Sequence, residues 1–233
     1  MRRWLLSLSA VALVAGFIET PVASAQQSLD LYIGGAQVRA EDARHSDDVL
    51  VQDKTFLDFN VGDFNGATIG GEWLVGLGNM FDAGLGVGFY QHTVPAADRL
   101  RAFEKTNAPI VLDLKLRVVP LTATIRFLPL GHRAGIEPYI GAGVGVFAWR
   151  YSETGDFVGS DNVTIRHGNF VGSGSNAGPV VLGGVRVPMG PVAVGGEVRY
   201  QSAVADLPAD QDFTGSKIDL GGFNYLLTFN VRF

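Results

Sequence analysis

Eight stretches of this chain alternate apolar and polar residues with period two, and the connections between them run long, short, long, short, long, short, long. Period-two alternation puts successive side chains on opposite faces of a β-strand. Such strands, joined in chain order, are expected to form an all-β, eight-stranded antiparallel up-and-down barrel. An even strand number with short turns at one end and long loops at the other is the pattern of a transmembrane β-barrel. A water-soluble barrel does not require it.

The stretches are Leu29–Val38, Ala67–Leu77, Phe81–Gln91, Leu112–Leu128, Pro138–Ser152, Pro179–Pro188, Val192–Gln201 and Gly221–Phe233. In the last, Phe223, Tyr225, Leu227, Phe229, Val231 and Phe233 share one face, and Asn224, Thr228, Asn230 and Arg232 lie on the other. The connection Arg39 to Asn65 is polar and rich in acids. Those at His92–Val111, Glu153–Ala177 and Ser202–Asp219 are the other long ones. In the fourth stretch Asp113, Lys115 and Arg117 are polar at odd positions, and Thr122, Thr124 and Arg126 at even ones. The phase slips near Val119-Pro120. A β-bulge adds one residue and accepts a proline, so a bulge is expected there. In the fifth stretch Tyr139, Phe147, Trp149 and Tyr151 share a parity that suits aromatic girdles at two bilayer interfaces. Its other face, Ile140, Ala142, Val144, Val146, Ala148 and Arg150, is also largely apolar, which leaves inside and outside open for that strand.

Inside hydrocarbon every backbone N–H and C=O needs an internal partner, which a closed sheet supplies. The outward face must then be free of charge. In seven of the eight stretches the mid-strand charges fall on the face that carries Gly and Thr. Glu72, Lys115, Arg117, Arg126, Arg186, Glu197 and Arg199 are therefore expected to point into the lumen. A barrel of eight strands has room for a filling of side chains or one small ligand. A plug of paired charges is the expected arrangement, with a polar conduit or binding site as the alternative.

Residues 1–25 read as a signal peptide: Arg2 and Arg3, an apolar run from Trp4 to Ile18, and Ala23-Ser24-Ala25 before Gln26. The run is short of the ~20 residues a spanning helix needs. Export is expected, with residues 26–233 forming the barrel domain. The chain has no cysteine, which excludes disulfides, thiol nucleophiles and a lipoprotein anchor. A net charge of -5 gives no footprint for nucleic acid. The four histidines lie scattered on connections without metal-ligand spacing, and neither a metal nor a cofactor is expected. The glycine runs at Gly84–Gly88 and Gly141–Gly145 have no helix after them, so a nucleotide site is not expected.

The closing stretch, which alternates and ends on Phe233, resembles the C-terminal assembly signal of Gram-negative outer-membrane barrels, with Tyr225, Phe229, Val231 and Phe233 in the signal positions. Pro138-Tyr139-Ile140-Gly141-Ala142-Gly143-Val144-Gly145 is similar to a Pro-Tyr-x-Gly-x-Gly-x-Gly strand of the small outer-membrane barrels of OmpA, OmpX and OmpW type. The whole mature chain resembles that family. The resemblance implies a cell outer membrane location, contact with lipid and lipopolysaccharide, and handling by the barrel-assembly machinery. It also implies a non-enzymatic structural or surface-interaction role, with the loops meeting an extracellular ligand or host surface. The alternative is an OmpW-like conduit or pocket for small apolar solutes. A lipid-modifying enzyme is less expected. Ser173-Gly174-Ser175-Asn176 resembles the His-x-Ser-Asn motif of lipid A deacylases, but Ser173 stands where the histidine base should be.

Overall fold

The computed structural model describes residues 26–102, 108–158 and 164–233, with the side chains of Leu100 and Arg101 left aside. The expected signal peptide, residues 1–25, lies outside the described residues. Eight long strands build the main sheet: β1 (Gln27–Val38), β2 (Gly66–Leu77), β3 (Phe81–Ala102), β4 (Pro109–Phe127), β5 (Glu137–Val158), β6 (Ile165–Met189), β7 (Val192–Gln201) and β8 (Gly222–Arg232). Each pairs antiparallel with its sequence neighbours, and β1 pairs β8 with Leu31 opposite Phe229. The sheet thereby closes into an eight-stranded barrel. At the lower end the strands are joined by short connections. The turn between β6 and β7 needs Gly190, whose φ of 70° is a conformation other residues rarely adopt.

The strands are unequal. β1, β2, β7 and β8 end near one level, whereas β3 to β6 run on. On β3, residues 91–102 add about 40 Å along the strand. The connections expected at His92–Val111 and Glu153–Ala177 are therefore mostly strand. β3 and β4 stay paired up to Ala97 and Val111, and β5 and β6 up to Val158 and Ile165.

The expected bulge at Val119-Pro120 is not there. β4 holds one register against β5, from Leu112 opposite Gly155, through Pro120 opposite Phe147, to Phe127 opposite Ile140. Even-numbered side chains face inward along all of β4. What changes at Val119 is the polarity of the two faces. Below it Thr122, Thr124 and Arg126 point in, and Leu121, Ala123 and Ile125 point out. Above it Leu112, Leu114 and Leu116 point in, and Asp113, Lys115 and Arg117 point out. A reversal of polarity at constant phase looks, in sequence, like a slip of one residue.

Above the closed part, β3 to β6 form an open curved sheet with an apolar concave face and two bare edges. Open edges and an uncovered apolar face both favour association with other chains. Segments 39–65 and 202–221 cover them. The first carries helix α1 (Val49–Asp53) and a short strand, Leu57–Asp58, that pairs with the β3 edge at Ala97 and Asp98. The second folds into a small hairpin of Val204–Asp206 and Lys217–Asp219. Val49, Leu50, Leu57, Phe64, Leu207 and Ile218 from this cap pack on Leu112, Leu114, Leu116, Phe147 and Tyr151 of the wall. The first segment is thus apolar at the positions that touch the sheet, although its composition is acidic.

Candidate functional site

The lower lumen is filled by ionisable side chains in two layers. In the upper layer, Arg126 reaches Glu72 at 2.6 Å, Glu197 at 3.1 Å and Asp30 at 3.3 Å. Arg199 bridges Glu72 at 2.7 Å and Glu197 at 2.8 Å. Thr124 donates to Glu72, and Tyr139 Oη donates to Glu197 at 3.0 Å. The Arg126 guanidinium lies 4.8 Å from the centre of the Tyr139 ring, and that of Arg199 lies 5.3 Å from the Tyr32 ring. In the lower layer, Arg186 holds Glu137 at 2.6 Å and Asp82 at 2.9 Å, and Arg232 also meets Glu137 at 2.6 Å. His132 lies 3.0 Å from Asp82. Glycines on the neighbouring strand β3 make the room. A Cβ on Gly84 would sit 2.2 Å from Glu72 Oε1. All of these carboxylates and Arg126, Arg186 and Arg199 are buried. Two facing fork-shaped guanidinia can satisfy several carboxylates at once, which isolated ammonium groups could not.

The upper lumen is apolar and is closed by the cap. Its two segments are tied together by polar contacts at their bases. Arg39 reaches Asp219 at 2.7 Å and donates to Tyr200 and Ser202. Buried Asp48 caps α1 through the Leu50 N–H at 3.0 Å, pairs with Arg44 at 3.0 Å and accepts from the Asp219 N–H at 2.7 Å. One acidic pair is buried where cap meets wall. Asp53 of α1 accepts from Tyr151 Oη at 3.2 Å and from Thr214, and it shares a hydrogen bond with Glu153 of β5. Burial pushes the Asp53 carboxyl up to about 6. Burial, then the neighbouring Asp53 charge, pushes Glu153 up to about 9. The pair therefore holds a proton at neutral pH. Between cap and charge layers is a cavity of about 40 Å³, lined in part by Tyr32, Tyr90, Leu116, Leu220 and Leu226.

The structure brings Glu72, Arg126, Glu197 and Arg199 into one network and puts Arg186 in the layer beneath. Lys115 and Arg117 correct the sequence-based expectation. Both are exposed on the outer wall above Val119, because the lumen at that height is apolar. Asp30, Asp82, Glu137 and Arg232 also belong to the layers, beyond the lumen residues that the sequence pattern picks out, and Tyr139 joins them from the expected girdle. The inward parity of Asp30 and Asp82 is the available signal; Glu137 falls just before the fifth stretch, where parity gives none. The expected girdle on β5 is also corrected. Tyr139, Phe147, Trp149 and Tyr151 are buried inside. Outward aromatics gather elsewhere: Phe81 and Phe127, 5.3 Å apart, at the lower rim, and Tyr200, Phe223 and Tyr225 at the upper. Tyr225, Phe229 and Phe233 of the expected assembly signal are exposed on the outward face, and Val231 is half-buried there. Ser173 and Ser175 face outward, while Asn176 binds Trp149 and the Val204 carbonyl, both at 3.1 Å. Among the described residues no group of three or more His, Asp or Glu is placed to hold a metal.

The outer wall has a sharp boundary. From the lower rim to Gly35, Ala67, Phe89, Val119, Ala148, Ala177, Tyr200 and Phe223 on the successive strands, no outward position carries Asp, Glu, Lys or Arg. Leu85, Ile140, Val144 and Leu227 there are 60–70% exposed. On β3 the stretch runs from Phe81 to Phe89, close to the ~9–11 residues a tilted strand needs to cross hydrocarbon. Among the described residues no helix is long and apolar enough to cross a membrane.

No protein-family model matches the chain, and no curated protein matches it. Solved structures similar to it include Ail, the attachment invasion locus protein of Yersinia pestis, in complex with the heparin analogue sucrose octasulfate. That match has 12% identity and a TM-score of 0.44 over 90% of this chain and 99% of that one. Neisserial surface protein A gives 12% identity and a TM-score of 0.46 over 89% and 97%. A major outer membrane protein from Thermus thermophilus gives 15% identity and a TM-score of 0.46 over 89% and 99%. At such identities and scores, neither location nor activity passes from these proteins to this chain.

Proposed function

We propose that the protein is an integral outer-membrane β-barrel with a structural or surface-interaction role, its lumen plugged and its capped end facing outside. The observation that carries this reading is the uncharged, apolar outer belt on a closed sheet whose buried charges all point inward. In water that belt would be an exposed apolar surface far larger than soluble monomers tolerate. In lipid it is the required surface. Orientation follows from the connections, since such barrels keep short turns in the periplasm and their larger elaborations outside. The cap then forms a water-facing surface available for contact. The network of Arg126, Arg199, Glu72 and Glu197 blocks the lumen below, which weighs against a conduit. In cell fractionation the full-length protein is expected in the outer membrane, with gel mobility that changes on heating. Recovery in the soluble periplasm would overturn the reading. Baseline conductance is expected in planar bilayers; steady open channels would favour the conduit instead.

A further inference from the structure

Arg117 of β4 stands directly opposite Arg150 of β5, and both are exposed on the outer wall. Like charges facing each other across a strand pair are destabilising. The rest of that row does nothing to offset them: Gln91 flanks Arg117 on β3, and Ser173 flanks Arg150 on β6. Lys115 adds a third cation one row up. The nearest outward carboxylate, Asp113, is a further row away, opposite Thr154 and Pro95. Among the described residues no ion pair forms to Lys115, Arg117 or Arg150. The three cations line a depression of about 290 Å³ together with Gln91, Ser152 and Asn169.

The position of this patch is as informative as its charge. It sits on the first rows above the uncharged belt. Directly beneath it an apolar furrow descends the same three strands, floored by Ala123, Gly145 and Ala142 and walled by Leu85, Leu121 and Val144. Between furrow and patch the row on β4 and β5 is Val119 opposite Ala148, two small side chains, with Phe89 beside them on β3.

We propose that this outer face of β3 to β6 binds one phosphorylated glycolipid of the adjoining leaflet. Arg117, Arg150 and Lys115 hold its phosphates, the nearby amide and hydroxyl groups hold its sugar, and one acyl chain lies in the furrow. The proposal rests on the membrane reading above. A phosphate between the guanidinia turns a repulsive pair into two charge-assisted contacts. Three cations within two rows suit a head with more than one phosphate, and Gln91, Ser152 and Asn169 suit hydroxyl groups more than a simple phosphodiester.

The test uses the full-length protein folded into vesicles of phosphatidylcholine containing equal small amounts of lipid A and phosphatidylglycerol. Flotation first separates inserted from uninserted protein; failure to insert would sink the membrane reading itself. Inserted protein is then released in mild detergent, and the lipids it retains are counted by native mass spectrometry. Wild type is expected to keep about one lipid A per chain. The R117Q/R150Q double variant should keep at least tenfold less, and R133Q, which removes an exposed cation at the opposite rim, should match wild type. The double variant should also unfold at a higher midpoint than wild type without lipid A, and at a lower one with it. A merely structural pair would not reverse that sign. Equal retention of lipid A by wild type and double variant would overturn the proposal. So would equal retention of phosphatidylglycerol, or displacement of lipid A by millimolar inorganic phosphate.

Discussion

Below Val119 the barrel is charged inside and greasy outside; above it the same strands, in the same register, are greasy inside and charged outside. β4 carries both halves. Thr124 and Arg126 face a lumen of carboxylates, while Leu114 and Leu116 face the cap core. Backbone geometry is identical in the two halves, so it cannot be what selects the residues. The surroundings select them. Where hydrocarbon bathes the wall, polar groups can only go inward and must be paired there. Where water bathes it, the ordinary rule of an apolar interior returns. The cap exists because the upper, open sheet must bury its concave face.

Removing one side chain from each half should separate the two kinds of core. Arg126→Met leaves Glu72, Glu197 and Asp30 facing one another with a guanidinium lost. A cost of about 3–5 kcal/mol to barrel stability is expected, read by urea unfolding in vesicles. A loss below about 1 kcal/mol would mean the charges are solvated rather than buried. Leu114→Ala in the upper half should cost about 2–5 kcal/mol. That loss should fall on cap docking alone: faster hydrogen exchange in α1 and in Lys217–Asp219, with heat-dependent gel mobility unchanged.

The outer wall allows a sharper contrast on one face of one strand. Val144→Arg puts a charge in the belt and should cost about 2–4 kcal/mol in vesicles. Arg150→Val, six residues on, should stay within about 0.5 kcal/mol, as exposed substitutions in water do. Similar costs at the two sites would erase the boundary. The last contrast concerns the acidic pair under the cap. A carboxyl whose folded pKa is raised binds its proton more tightly when docked, so docking weakens as pH rises above the ordinary carboxylate range. For Asp53 and Glu153 the weakening should proceed through about 6 and on to about 9. Glu153→Gln should abolish the alkaline part, seen as exchange rates in α1, corrected for intrinsic rates, that no longer climb between about pH 7 and 9.

How much of this was legible in the sequence follows from the same inversion. Period two identifies two faces and gives the strands, their order and, in the lower half of every strand but β5, which face turns inward. It does not say which solvent meets each face. Lys115 and Arg117 therefore looked like lumen residues displaced by a bulge, and the inward aromatics of β5 looked like a girdle. The cap was hidden for another reason. Val49, Leu50, Leu57 and Phe64 are spread through an acidic segment without strand or helix periodicity, and only the concave sheet they cover gives them a common face. The charge layers were half visible: Glu72, Arg126 and Glu197 follow from parity, whereas Glu137 sits at a strand end where parity is uncertain.

The most direct measurement is a cysteine scan of β4, which the chain's lack of native cysteine makes clean. Spin labels at 113, 115, 117, 121, 123 and 125, in the full-length protein folded into vesicles, would be tested against a water-soluble relaxant and against oxygen. If lipid gives way to water at Val119, the first three positions should favour the water-soluble relaxant and the last three oxygen, with a single crossing between 117 and 121. Uniform access of the water-soluble relaxant along all six would contradict it.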